Sequence, residues 1–216
     1  MEASARPDRS TVPAVNYLRP VPDPKPPPVT IEGEPASIDE LERWATVLRI
    51  DCVRMLAVAK SGHLDSSLSA ADIVTALYHR VLRHDPKRPD WAARDRFVLS
   101  KGHAAPIQYA ALARHGYFPL EDLMGLRKIG AQLQGHPDMN KTPGIEVSTG
   151  SLGQGLSMSL GIALALRLDG LDEEAHVFCL CSDGDCQEGQ TWEAETAAPH
   201  FGVRNLTAIV AYNHLQ

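Results

Sequence analysis

The chain has 216 residues, 44% hydrophobic and 22% charged, which is enough for one α/β domain with a sizeable buried core. Its formal net charge of −6 gives general nucleic-acid binding no electrostatic support. No apolar run is long enough to span a bilayer, and the first residues are rich in proline and charge, unlike a signal peptide; the chain is expected to be cytoplasmic, with no membrane partner.

Residues 1–36 are dominated by proline, including Pro26-Pro27-Pro28, and carry few apolar side chains to bury. They read as an extended or disordered arm ahead of a domain over 37–216. Ser37-Ile-Asp-Glu40 is a capping box, and Leu41, Trp44, Leu48, Cys52 and Leu56 follow at helical spacing, so a helix is expected to run from there and stop before Gly62. A second capped helix is expected to open at Ser69-Ala-Ala-Asp72 with Ile73, Leu77 and Val81 on one face. Phe97-Val98-Leu99 reads as a short buried strand, and helical stretches follow from about Ala105 and about Leu120. Leu156–Leu168 is apolar on nearly all sides, which predicts a central helix covered on more than one side. His176–Cys181 is a continuous strand run ending in Ser182-Asp-Gly184. A helix over about Gln190–Pro199 then leads to a strand at Leu206–Ala211. Strand, helix and strand make a βαβ unit, so the expected architecture is an open, mostly parallel α/β sheet with helices on both faces.

The four cysteines, Cys52, Cys179, Cys181 and Cys186, lack the paired spacing of a zinc site, and three crowd into one strand and its turn, where a disulfide framework has no room. They read as reduced thiols. The chemistry instead gathers where open parallel sheets bind ligands, beyond the carboxyl ends of their strands. One such end carries Asp183-Gly184 and the other, 30 positions later, carries Asn213. A carboxylate and an amide oxygen converging there suit Mg²⁺ shared with diphosphate oxygens, and Gly184 lets backbone N–H groups approach a phosphate.

Ser182-Asp-Gly-Asp-Cys-Gln-Glu-Gly-Gln-Thr-Trp-Glu-Ala194, running on to Asn205-Leu-Thr-Ala-Ile-Val-Ala-Tyr-Asn213-His-Leu-Gln216, resembles the thiamine-diphosphate motif of transketolases. Ser61-Gly-His63, Leu99-Ser-Lys-Gly-His103-Ala, Gly135-His136-Pro137 and Ser148-Thr-Gly-Ser-Leu-Gly-Gln-Gly155 resemble the same family in the same order. Ser66-Ser-Leu-Ser-Ala-Ala-Asp72-Ile is most similar to the N-terminal subunits of split bacterial transketolases. The resemblance implies thiamine diphosphate and Mg²⁺ (with Ca²⁺ or Mn²⁺ as substitutes) as cofactors. It implies Asp183, Asn213 and the Leu215 carbonyl as metal ligands, and His103, Gly150, Leu152, Asp183, Gly184 and Asn213 as cofactor-binding residues. His63, His103 and His136 would be catalytic, His63 and His136 in the substrate channel on the sugar and His103 reaching the diphosphate region. Glu188, with Glu193, would lie at a dimer interface and relay proton state between cofactors. The implied activity is transfer of a two-carbon ketol unit from a ketose or its phosphate to an aldose. The implied partner is a subunit carrying the pyrimidine-binding domain, in a dimer of heterodimers.

Other readings stay open at this point. Each of the three histidines follows a glycine in a loop, where an exposed imidazole is often incidental, and Glu188 and Glu193 suit the solvated start of a helix. His79, His84, His115, His176, His200 and His214 receive no role. The sequence departs from the family at Ser182, where a glycine is usual, at Leu64-Asp65, where single-chain relatives have Pro-Gly, and at Ala211, where an acid is usual. The chain also ends before the rest of the domain seen in family members. A non-catalytic subunit or a different thiamine-dependent carboligase are the alternatives.

Overall fold

A computed structural model of the chain describes residues 36–213. The proline-rich arm up to residue 35, and His214, Leu215 and Gln216, lie outside the described residues.

Helix α1 (Ile38–Ala59) starts on the expected capping box: the Glu40 N–H donates to Ser37 Oγ at 3.4 Å and the Ser37 N–H donates to Glu40 Oε2 at 2.8 Å. It ends before Gly62 as expected, with Lys60 in a left-handed conformation (φ 51°) donating its N–H to the Leu56 carbonyl. Trp44, Leu48, Cys52 and Leu56 are buried along one face.

The next helix is not the single one expected. The chain forms α2 (Leu64–Ser69) and α3 (Ala71–Ala76), then a wider π turn over Leu77–Val81. Ser69 does not cap; its hydroxyl donates to the Ser66 carbonyl inside α2, and Asp72 pairs with Arg49 of α1 instead. The π turn also rotates the buried face. Ala70, Ala71, Val74, Leu77 and Tyr78 are buried, whereas Val81 is 45% exposed. Capping residues and apolar spacing are read on an ideal 3.6-residue period, which a π turn breaks.

Strand β1 (Arg96–Leu99) is followed by α4 (Ala105–Arg114), and the stretch from Leu120 to Gly125 is a tight 3₁₀ turn rather than an α-helix. Then come α5 (Gln154–Leu168), β2 (Val177–Ser182), α6 (Gly189–His200) and β3 (Leu206–Ala211). The sheet order is β1-β2-β3, all parallel, with Arg96 paired to Val177 at one end and Ser182 to Ala211 at the other.

Side chains alternate across the sheet, so each strand feeds two cores. Phe97, Leu99 and Leu180 pack with Leu48, Cys52 and Met55 of α1 and with Ile107, Tyr109 and Leu112 of α4. Val98, Cys179 and Cys181 pack on the other face against Leu156 and Leu160 of α5 and Ala194 of α6. Each fully buried large side chain contributes roughly 1.5–3 kcal/mol. This is the expected α/β architecture with helices on both faces, and the four cysteines are unpaired thiols. Helix α5 departs from expectation. Leu156, Ser159, Leu160, Ala163 and Leu166 are buried, but Gly161, Ala165 and Leu168 are exposed, so among the described residues one side of this apolar helix is bare.

Candidate functional site

The site is assembled where β1, β2 and β3 end. Asp183 and Asn213 follow the last register pair, Ser182 and Ala211, by one and two residues, at the same end of two neighbouring strands. Parallel strands lie about 4.8 Å apart, so the two residues stand at neighbouring strand ends. Asp183 is 8% exposed; its Oδ1 accepts the Gly184 N–H at 3.2 Å, and its buried Oδ2 has no hydrogen-bond partner among the described residues. A buried carboxylate oxygen left in that state is costly, and a cation or a strong donor is what would satisfy it. Among the described residues no three His, Cys, Asp or Glu side chains are grouped to hold a metal ion. A magnesium ion here would have to draw on amide and carbonyl oxygens, which its chemistry allows.

The loop after β1 and the loop before α5 run in backbone contact. The Thr149 hydroxyl donates to the Leu99 carbonyl at 2.7 Å. A Cβ on Gly102 would come within 2.8–2.9 Å of the Thr149 and Gly150 backbone, and Gly150 itself (φ 149°) lies against the His136 ring. Both glycines are therefore demanded by close approach. Leu152 is half-buried in the same loop, two residues ahead of the start of α5.

Three of the histidines singled out in the sequence come together. His63, the residue before α2, and His103, in the 3₁₀ turn ahead of α4, meet edge to face with centroids 5.4 Å apart. The Tyr109 hydroxyl hydrogen-bonds the Gln134 and His136 carbonyls, both at 3.0 Å, fixing the third. Burial, then the nearby His63 and Lys101, holds the His103 imidazole below its ordinary pKa. Burial, then the Arg127 guanidinium and His63, does the same to His136. Both are thus neutral near pH 7.

Glu188 is exposed and precedes α6; its Cβ and Cγ pack against Gly153. Glu193 is exposed on α6. Asn213 is exposed, and Leu215 lies outside the described residues.

Three residues were missed in the sequence. Lys101, 3% exposed, reaches Ser69 Oγ at 3.3 Å; burial pushes its amine down, which Asp183, Asp185 and Asp65 partly offset. Arg127 takes a left-handed conformation (φ 60°), packs its guanidinium against Gly135, hydrogen-bonds Ser61 Oγ, and has no carboxylate partner among the described residues. Asp185 is fully buried and accepts hydrogen bonds from Ser100 Oγ, the Gly153 N–H, the Ser182 N–H and Ser182 Oγ. The one available sequence signal for Asp185 was a second acid beside Asp183-Gly184, in a turn that already had an explanation.

The order of these segments along the chain can be compared with known proteins. Residues 41–216 match the family described as transketolase, thiamine diphosphate binding domain. The chain belongs to that family. It is 42% identical over 177 residues to the 6-deoxy-6-sulfo-D-fructose transketolase subunit of Clostridium sp. (strain MSTE9), covering 82% of this chain and 64% of the relative. It is 41% identical over 187 residues to the transketolase of Aquifex aeolicus (strain VF5), covering 82% of this chain and 27% of the relative. Among solved structures, the transketolase of Leishmania mexicana superposes with a TM-score of 0.77 at 33% identity, over 85% of this chain and 28% of that one. The chain therefore spans just under two thirds of the first of these relatives and less than a third of the others. Within this transketolase domain, Ser182 at the usual glycine position has a local partner: its amide and hydroxyl are both bound by Asp185.

Proposed function

We propose that this chain is the diphosphate- and magnesium-binding component of a transketolase-type transferase, working with a subunit that carries the pyrimidine-binding domain. The observation that carries the reading is the buried Oδ2 of Asp183 at the end of β2, without a hydrogen-bond partner among the described residues, beside the strand end that leads to Asn213. An oxygen donor of that kind fits a divalent ion that also binds diphosphate, and the residues present fit the cofactor. Asp183, Asn213 and the Leu215 carbonyl would hold Mg²⁺, for which Ca²⁺ or Mn²⁺ would substitute. Gly184 and His103 would meet the diphosphate, and Gly150 and Leu152 the ring end.

Thiamine diphosphate, when bound, supplies the nucleophilic carbon and electron sink for breaking the bond next to a ketose carbonyl. The chain's own residues orient the sugar. His103 and His136, neutral near pH 7, can accept a hydroxyl proton or a hydrogen bond, and His63 packs beside His103 to complete the wall. Arg127 adds positive charge next to His136, which suits a ketose with an anionic substituent. Glu188 and Glu193 would face a second copy of the chain in a dimer of heterodimers.

Reconstitution with the pyrimidine-domain subunit tests the reading. Ketose formation from hydroxypyruvate and an aldose should require thiamine diphosphate and Mg²⁺ and be lost in Asp183→Ala. A reconstituted pair that makes no ketose, or makes it equally well without the cofactor, would rule the proposal out.

A further inference from the structure

We infer that Asp185 is a positioning residue that sets the register between the two ends of the cofactor site. The inference rests on the functional reading above and adds to it a residue that plays no part as a ligand. The Asp185 carboxylate is fully buried, and each oxygen is engaged with a different part of the site. Oδ1 accepts from Ser100 Oγ at 2.5 Å and from the Gly153 N–H at 2.8 Å. Oδ2 accepts from the Ser182 N–H at 2.7 Å and Ser182 Oγ at 2.8 Å, and Asp185 returns its own N–H to Ser182 Oγ at 3.2 Å.

Each of these donors lies close along the chain to a residue assigned to the cofactor. Ser182 precedes Asp183 and Gly184, at the diphosphate end. Gly153 follows Leu152 and is three residues past Gly150, at the ring end. Ser100 leads into Gly102-His103. Three separate chain segments, 100–103, 150–153 and 182–184, are thus tied to one carboxylate. The loop before α5 has no other side-chain bond to the β2 turn among those described, and Gly153, which precedes α5, has no side-chain cap, so Asp185 is what takes up its N–H. A carboxylate is suited to this because it only accepts, and all four contacts come from donors. An amide would turn one nitrogen toward donors it cannot accept from, on either side.

Ser182 gains a meaning from this arrangement. It stands where a glycine is usual in the family, and its hydroxyl is spent on Asp185. Ser182 and Asp185 act as a pair, and the hydroxyl is a device for holding the acid rather than a contact to the cofactor.

The test separates register from mere folding by using two probes of different length. Pyrophosphate with Mg²⁺ touches the diphosphate end alone, whereas thiamine diphosphate with Mg²⁺ spans both ends. Calorimetry is done on the chain reconstituted with the pyrimidine-domain subunit, as wild type, Asp185→Asn, Ser100→Ala and Ser182→Gly. Asp185→Asn is expected to weaken thiamine diphosphate about tenfold or more while weakening pyrophosphate by less than about threefold. Ser100→Ala, which removes one contact, and Ser182→Gly, which removes the two made by Ser182 Oγ, leave the backbone donors and should fall between wild type and Asp185→Asn. Equal affinity of Asp185→Asn and wild type for thiamine diphosphate overturns the inference. So does an equal loss for both probes, because a purely structural acid would damage both ends alike. A wild-type pair that binds pyrophosphate but not thiamine diphosphate overturns the functional reading together with it, which distinguishes the two failures.

Discussion

His79, His84 and His115 carry no chemistry in the sequence, yet they form a buried cluster with Trp44, Tyr78 and Tyr117. The His79 ring stacks on Trp44 at 4.8 Å and lies 4.5 Å from His115, which is 4.8 Å from His84. His84 bonds the Tyr117 hydroxyl and the Tyr78 carbonyl, each at 3.1 Å, whereas neither ring nitrogen of His79 has a hydrogen-bond partner among the described residues. Burial, then His84, pushes His79 down to about 4; burial, then His79 and His84, pushes His115 well below its usual range; burial also lowers His84. These groups are neutral when folded and bind protons near pH 6.5 when unfolded. Their contribution is thus fully present above about pH 6.5 and is lost as the pH falls toward 4, at up to about 1.4 kcal/mol per imidazole per pH unit. Urea denaturation at a series of pH values should show this slope. His79→Phe, which keeps the stack and removes two unpaired nitrogens, should be at least as stable at pH 7 and lose less on acidification. Identical slopes would remove His79 from the account. A glycine at the site gives a second residue-scale test. A Cβ on Gly155 would sit 2.4 Å from Ser100 Cβ and Oγ. Helix propensity favours Gly155→Ala by up to about 1 kcal/mol, but the clash with a packed backbone should outweigh it, for a net loss of roughly 1–3 kcal/mol in chemical denaturation.

At the scale of elements, the strands and the capping box were legible because their signals are local. Phe97-Val98-Leu99 and the run up to Cys181 are unbroken apolar stretches, as buried parallel strands must be. The Ser69 helix was misread because its π turn and the break at Ala70 depend on packing that no residue at those positions announces. The carboxyl-end logic placed Asp183, Gly184 and Asn213 from residue type and spacing alone, and the family motifs added the histidines. Asp185, Lys101 and Arg127 were invisible because their importance lies in what they touch, across 85 residues in the bond from Ser100 to Asp185. The Asp51–Arg114 pair is of the same kind. It joins α1 to α4 at 2.7 and 3.0 Å, with side chains 5% and 8% exposed. Arg114→Leu should cost about 3–5 kcal/mol by leaving Asp51 charged and buried, whereas Asp51→Leu with Arg114→Leu should recover most of that. A thermodynamic double-mutant cycle reads the difference, and additive losses would mean the pair is not coupled.

The whole molecule turns on the bare side of α5. Leu156–Leu168 is apolar nearly all round, as a central helix is, yet Gly161, Ala165 and Leu168 are exposed, and Trp192 and Phe201, in and just after α6, are 55% and 50% exposed. An apolar helix with one open side is stable in a fold or an assembly that covers it. In the proposed dimer of heterodimers a second copy of this chain would be the cover. Gly161 separates the two scales. A Cβ there meets nothing within 4 Å inside the chain, so Gly161→Glu leaves the fold intact and, by helix propensity, should raise the stability of the isolated chain by up to about 1 kcal/mol. In the assembly the same carboxylate would be forced into an apolar contact between helices, where an unpaired charge is strongly disfavoured. Sedimentation of the reconstituted protein should therefore shift to a smaller species in Gly161→Glu, with activity falling in proportion, while the melting temperature of the isolated chain is unchanged or higher. If mass and activity both match wild type, α5 faces solvent in the working enzyme, and the partner contacts must be sought elsewhere on the domain.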